Sequence, residues 1–192
     1  MKIKSAVSIC LRNESLILCD ETVWETGEVR QWIGDGAAFY LLEGLPYLNE
    51  DTVFRVFDIT EKQQGKIYFR KDIFPATVDP DDHKPDDMNA EPGMLSINYG
   101  GNTYVPYVGG GKLVYINREY MAPFRDKADG LSLVIRDMEN GLPYLVVMFG
   151  LLTIGIIMPF DPYKLEPIAE NLEALAKLTR KHMKKKDEGA EE

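Results

Sequence analysis

The chain has 192 residues, 45% hydrophobic and 28% charged, with 22 Lys and Arg against 31 Asp and Glu, two His and two Cys. That is too apolar for wholesale disorder and long enough to bury a core without disulfide staples. The net charge of −9 argues against a surface given over to nucleic acid, because Lys and Arg are needed to displace counterions from phosphates. The charge is uneven, with six bases and no acid between Lys177 and Lys186, so that residues 1–176 hold 16 bases against 27 acids.

The opening Met1-Lys2-Ile3-Lys4 lacks the long apolar segment of a secretory leader. A reducing, cytoplasmic setting is therefore expected, with Cys10 and Cys19 as buried thiols. Strand-like runs follow at Val7–Leu11, Ser15–Leu18, Val29–Ile33 and Ala37–Leu42, the last two separated by the hairpin string Gly34-Asp35-Gly36. If 10–13 and 15–19 pair as strands, Cys10 and Cys19 can face each other. Asn49 then caps a helix over roughly 50–59, with Glu50 and Asp51 in its first turn, and Lys66–Arg70 alternates as a strand.

Residues 75–93 interleave Pro75, Pro80, Pro85 and Pro92 with five aspartates, which predicts a solvated, mobile acidic loop. Asp79, Asp81, His83 and Asp87 lack the glycine and terminal Glu of a calcium loop, so no metal is expected. Strands are predicted at Met94–Tyr99, Thr103–Val108 and Lys112–Ile116, with glycine turns between them. Asn117 caps a short helix over Arg118–Phe124, and strands follow at Leu131–Arg136, Tyr144–Phe149 and Leu151–Met158. Residues 142–160 are uncharged and long enough to span a membrane, but they are rich in β-branched residues and divided at Phe149-Gly150, which favours two buried strands. Last, Leu165, Ile168, Leu172 and Leu175 recur at helical spacing, with acids early and bases late, as in an amphipathic helix that packs on its parent domain, assembles copies or meets a partner, or docks on an anionic surface.

The two histidines, His83 and His182, stand in the acidic loop and the basic tail, which disfavours a histidine-dependent triad. Gly109-Gly110-Gly111-Lys112 lacks the Ser or Thr and the following helix of a phosphate loop. No cofactor is implied. The most distinctive string, Trp32-Ile33-Gly34-Asp35-Gly36, offers Trp32 and Asp35 as a ligand shelf at a hairpin turn.

The stretch Lys112-Leu113-Val114-Tyr115-Ile116-Asn117-Arg118-Glu119-Tyr120-Met121-Ala122-Pro123-Phe124, with Ile156-Ile157-Met158-Pro159-Phe160 after a hairpin, resembles the last domain of bacterial DNA sliding clamps. In that family a strand leads into an Asn-initiated helix and a final strand closes on Met-Pro. The resemblance implies a scaffold with a peptide-binding pocket near Met158 and Pro159, assembled through sheet edges; DNA encirclement is not carried over.

The expected fold is thus α+β: duplicated strand-helix-strands units, about 1–74 and 94–160, forming antiparallel sheets with two short helices within residues 1–162. A C-terminal amphipathic helix over 163–186 and a disordered tail over 187–192 complete it. The leading functional expectation is a non-enzymatic, homo-oligomeric scaffold that binds a protein or itself, with nucleic acid disfavoured and no membrane. A carboxylate-dependent enzyme or small-molecule binder at Trp32 and Asp35, and an acidic mimic of nucleic acid, are the alternatives.

Overall fold

The computed structural model describes residues 1–24, 26–127, 129–161, 166, 169–171, 173–178 and 180. It divides into two units, Met1–Phe160 and Asp161–Glu192.

Ile3, Ala6, Val7 and Cys10 repeat at intervals of three and four, and Ile3–Arg12 accordingly winds as helix α1. It buries Ala6, Val7, Ile9 and Cys10 and leaves Lys4, Ser8 and Arg12 along one exposed stripe. This corrects the strand expected at Val7–Leu11. Val7 and Ile9 do alternate, but a helix buries the wider apolar set on one face. Strands β1 (Ser15–Thr22), β2 (Val29–Gly34) and β3 (Ala38–Leu41) follow as an antiparallel meander. Both cysteines are free and buried. Cys10 enters the core on one side of this sheet and Cys19 the core on the other, so the facing pair does not form.

Short helices α2 (Glu50–Val56) and α3 (Glu61–Gln64) are each fixed by a capping box, Asn49 with Thr52 and Thr60 with Gln63. Strand β4 (Tyr68–Ile73) begins two residues later than expected and lies parallel to β1. Strands β5 (Glu91–Pro92), β6 (Ile97–Tyr99), β7 (Asn102–Gly109) and β8 (Lys112–Asn117) make a second sheet around β7. Gly110 and Gly111, at φ +58° and +74°, form the two-residue β7–β8 turn, so the triple glycine is hairpin chemistry.

The Asn117-led segment is a 3-10 helix, Arg118–Lys127, with Pro123 inside it; proline has no N–H to give to an α-helical ladder. Then come β9 (Leu131–Asp137), β10 (Pro143–Phe149) and β11 (Leu152–Ile157). The uncharged run of residues 142–160 is thus two strands joined at Gly150, which has φ +61°. Among the described residues no helix is long and apolar enough to cross a membrane.

The main sheet has the order β4-β1-β2-β3-β11-β10-β9. Its middle is the antiparallel pair β3 and β11, which joins the meander β1–β2–β3 to the meander β9–β10–β11. One face carries α1, the 3-10 helix and the inner side of the second sheet over a core that includes Leu18, Tyr40, Phe124, Leu145 and Val147. The other face holds Trp32, Phe39, Tyr144, Val146 and Met148, with Phe74 and Val78 packed among them. The mixed α+β class stands.

Residues 75–93 are not a free loop. Arg136, 7% exposed, donates from Nε and Nη2 to the two oxygens of Asp87, itself 5% exposed, at 2.9 and 2.6 Å. Its guanidinium also donates to the carbonyls of Asp79, Asp81 and Asp82. Thr153 and Tyr144 add hydrogen bonds to Asp79, Asp81 and Asp82. The acidic strap is therefore bound across the second face of the sheet. Composition could not show this, because the cation that organises it comes 49 residues later in sequence.

In the second unit the described residues 166, 169–171, 173–178 and 180 are helical. Leu165, Ile168 and Leu172 lie outside the described residues.

Candidate functional site

Helix α1 and the 3-10 helix lie side by side and run in opposite directions. The Lys2 N–H donates to the Pro123 carbonyl at 2.8 Å, and the Lys2 ammonium sits 2.9 Å from Asp126. At the other end Arg12 is 2.8 Å from Glu119. The aromatic ring of Phe124, fully buried, rests on Gly155 of β11, where any Cβ would collide with it. That contact seats the 3-10 helix closely on the sheet.

Asp35 holds this pair in register. Its Oδ1 accepts from the backbone N–H of Ala37 and Ala38, at 2.9 and 3.0 Å, closing the turn. Its Oδ2 accepts from Asn13 Nδ2 at 2.6 Å and from the Tyr120 hydroxyl at 2.9 Å. Ser15 Oγ donates to its carbonyl, and the Tyr40 hydroxyl donates to the carbonyl of Tyr120. One carboxylate thus ties the end of α1, the β2–β3 turn and the 3-10 helix. Burial, and then the negative charge of Asp35, push the Tyr120 hydroxyl well above the ordinary range, so it remains a donor at neutral pH.

Trp32 is not beside Asp35 in space. Its indole is fully buried on the other face of the sheet, 5.2 Å from the Phe74 ring, and donates from Nε1 to Glu21 Oε2 at 2.5 Å. Burial raises the Glu21 carboxyl despite that hydrogen bond. The structure brings Asp35 to Tyr120 and Asn13 instead, a grouping whose members lie up to 107 residues apart in sequence.

Met158 donates its N–H to the Ala37 carbonyl and packs against the second core, and Pro159 is half-buried beside it. Phe160 donates its N–H to the Tyr115 carbonyl, and its ring lies 4.3 Å from that of Tyr104. Leu175 is exposed. Among the described residues no group of three or more His, Cys, Asp or Glu is arranged to hold a metal ion.

Lys2, Lys4 and Arg12 on or next to α1, with Arg118, Arg125 and Lys127 of the 3-10 helix, give this helix pair six bases against Glu119 and Asp126. Five of the six bases are exposed, and Lys127 lies with its ammonium over the Phe149 ring. The acids of residues 49–61 sit on α2, α3 and their link, and one of them, Asp58, reaches the pair, 3.8 Å from the Lys4 ammonium. The basic face is not legible when Val7–Leu11 is read as a strand; the i, i+4, i+8 spacing of Lys4, Ser8 and Arg12 is the signal in the sequence that points to it. Comparison with protein-family models, with curated proteins and with solved structures returns no match to this chain.

Proposed function

We propose that the protein is a non-enzymatic scaffold with a clamp-like body, and that the paired helices form the face that meets its macromolecular partner. The reading is supported by the element order: a helix followed by a three-strand meander occurs as α1–β1–β2–β3 and again as the 3-10 helix with β9–β10–β11. The two meanders meet at β3 and β11, so the helices lie together on one continuous sheet surface.

The observation that carries the partner's chemistry is the charge of that face, six bases to three acids, Glu119, Asp126 and the Asp58 that pairs with Lys4, in a chain of net charge −9. Such a local reversal fits an anionic polymer, of which duplex nucleic acid is the simplest case. The test is fluorescence anisotropy of a labelled 30-base-pair duplex titrated with the intact chain between 50 and 200 mM salt. Neutralising about four phosphates gives a slope of log K against log salt of about −4. The triple substitution Lys4→Glu, Arg118→Glu and Arg125→Glu is expected to abolish the interaction. Absence of binding at 50 mM salt refutes the reading. So does equal binding by the triple variant, which would assign the affinity to the basic tail between Lys177 and Lys186.

A further inference from the structure

Two residues along β1 from Cys19, Glu21 shares its side of the main sheet with the second core. It is 8% exposed, and its Oε2 is held by the Nε1 of Trp32 at 2.5 Å, an indole itself fully buried against Phe74. The groups around it are short of positive charge. Arg30 stands opposite Glu21 in the β1–β2 register, but its Nη2 also lies 3.2 Å from Asp82. From the strap, Asp81 and Asp82 both bear on Glu21, and Asp82 is fixed over the sheet because its Oδ1 accepts from the Thr153 N–H at 3.0 Å. The other nearby cations are engaged elsewhere. Arg136 donates to strap carbonyls and to the Asp87 carboxylate, and Lys84, 3.7 Å from Asp81, is paired with Asp79. Three carboxylates thus share Arg30 where sheet and strap meet.

We infer that Glu21 makes the strap a proton-sensitive latch: protonated, it lets residues 79–82 close on the sheet, and ionised, it pushes them away. Repulsion between like charges grows as water is excluded, so closing the strap over an ionised Glu21 costs more than closing it over the neutral acid. Burial, with the charges of Asp81 and Asp82, accordingly raises the Glu21 carboxyl against the opposing pull of the Trp32 N–H and of Arg30. A carboxyl raised in the folded state adds stability below its ordinary value, and that contribution is lost as pH rises through the folded value. Asp79 and Asp87 are shifted the other way: Lys84 and Arg136 outweigh burial and hold them low, so their contribution is lost only in more acid solution. The strap is therefore held most firmly in mildly acidic solution and loosens towards alkaline pH, where its release bares the second core around Trp32, Phe74 and Val78.

The experiment is amide hydrogen exchange by NMR on the full-length protein at pH 5 and pH 8, read as protection factors so that the intrinsic exchange rate drops out. The Thr153 N–H reports the latch, because its acceptor is Asp82, and the Leu42 N–H, bound to the Gln31 carbonyl at 2.8 Å, reports the sheet. His83, 3.7 Å from Asp87, is a second group of the strap able to take up a proton, so parent and variants all carry His83→Gln. Protection at Thr153 is expected to fall about tenfold from pH 5 to pH 8 with little change at Leu42, and Glu21→Gln, which keeps an acceptor for the indole, to hold the pH 5 level throughout. No fall at Thr153 in the parent, an equal fall at Leu42, or the same fall in Glu21→Gln overturns the inference. Where loss of Leu42 protection at both pH values shows that Glu21→Gln has disturbed the sheet, Asp81→Asn, at an exposed position, decides: a smaller fall at Thr153 supports the latch, and an unchanged one overturns it.

Discussion

Arg136→Ala tests whether the acidic strap is held by one buried cation. In the native protein the guanidinium makes five hydrogen bonds, two to the Asp87 carboxylate and three to carbonyls of Asp79, Asp81 and Asp82. Both charged partners are below 10% exposure, so solvent cannot step in without the strap leaving the sheet. Removing one member of such a buried pair costs about 3–5 kcal/mol, because the other charge remains without its counterion. For a chain of this size that is a fall in Tm of roughly 10 °C. Urea denaturation followed by the fluorescence of buried Trp32, which lies in the core beneath the strap, reads the loss directly.

The same residue predicts a pH signature. Burial alone would raise the Asp87 carboxyl, but the hydrogen bonds from Arg136 and from the Lys84 N–H outweigh it and hold the pKa below the ordinary carboxylate value. A group depressed in the folded state adds stability above its unfolded pKa of about 4, and that contribution is lost as pH falls through the folded value. In Arg136→Ala the sign inverts, since burial without a cation raises the carboxyl and folding then favours the protonated form. The gap between wild type and variant should therefore hold near neutral pH, narrow as pH falls through the variant's raised carboxyl pKa, and narrow further below about pH 4, where the wild type loses its own contribution. A cost under about 1 kcal/mol at pH 7, or a gap that does not change with pH, would refute the argument that this pair organises the strap.

Two further outcomes follow from the core. Gly155→Ala sets a methyl group against the Phe124 ring, so the 3-10 helix must lift; the expected cost is about 1–3 kcal/mol, measured by thermal melting, and an unchanged Tm would show that the helix is not seated there. Cys10 and Cys19 are 0% and 1% exposed, and burial pushes both thiols up, Cys19 to about 11. Their reaction with an aromatic disulfide reagent at pH 8 should proceed at the rate of unfolding, and fast labelling of either in the folded protein contradicts its placement.

Local chemistry made much of the fold legible. Glycine pairs with positive φ mark the β6–β7 and β7–β8 hairpins, and Asn49 with Thr52 marks the start of α2, because turns and caps depend on a few neighbouring residues. The division of residues 142–160 into β10 and β11 followed from β-branched side chains and Gly150. Near the amino terminus the same reasoning failed. Val7 and Ile9 alternate as in a strand while Ile3, Ala6, Val7 and Cys10 repeat as in a helix, and only the presence of a sheet and a second helix to bury against favours the latter.

The candidate site depended still more on what lies far away in sequence. Asp35 was visible as a turn residue, yet its bonds to Asn13 and Tyr120 arise only when β3 pairs with β11 and sets the two helices together. Trp32 and Asp35, near neighbours in sequence, end on different sides of the sheet. Residue 32 faces the second core and the Asp35 side chain reaches the helices, as side-chain alternation along β2 and the turn beyond it dictate.

What the sequence by itself determined was the inventory of elements: the strand-rich α+β class, the glycine turns, the acidic strap as a segment, and the places of strands β7 and β8. These rest on interactions within a few residues, which composition and spacing encode directly. Tertiary structure alone decided that β4 runs parallel to β1, that Arg136 binds the strap 49 residues before it, and that α1 and the 3-10 helix form one basic face. Those outcomes depend on which surfaces meet when the chain closes long loops, and pairing across such distances is chosen by the burial and charge of the whole molecule rather than by any local pattern.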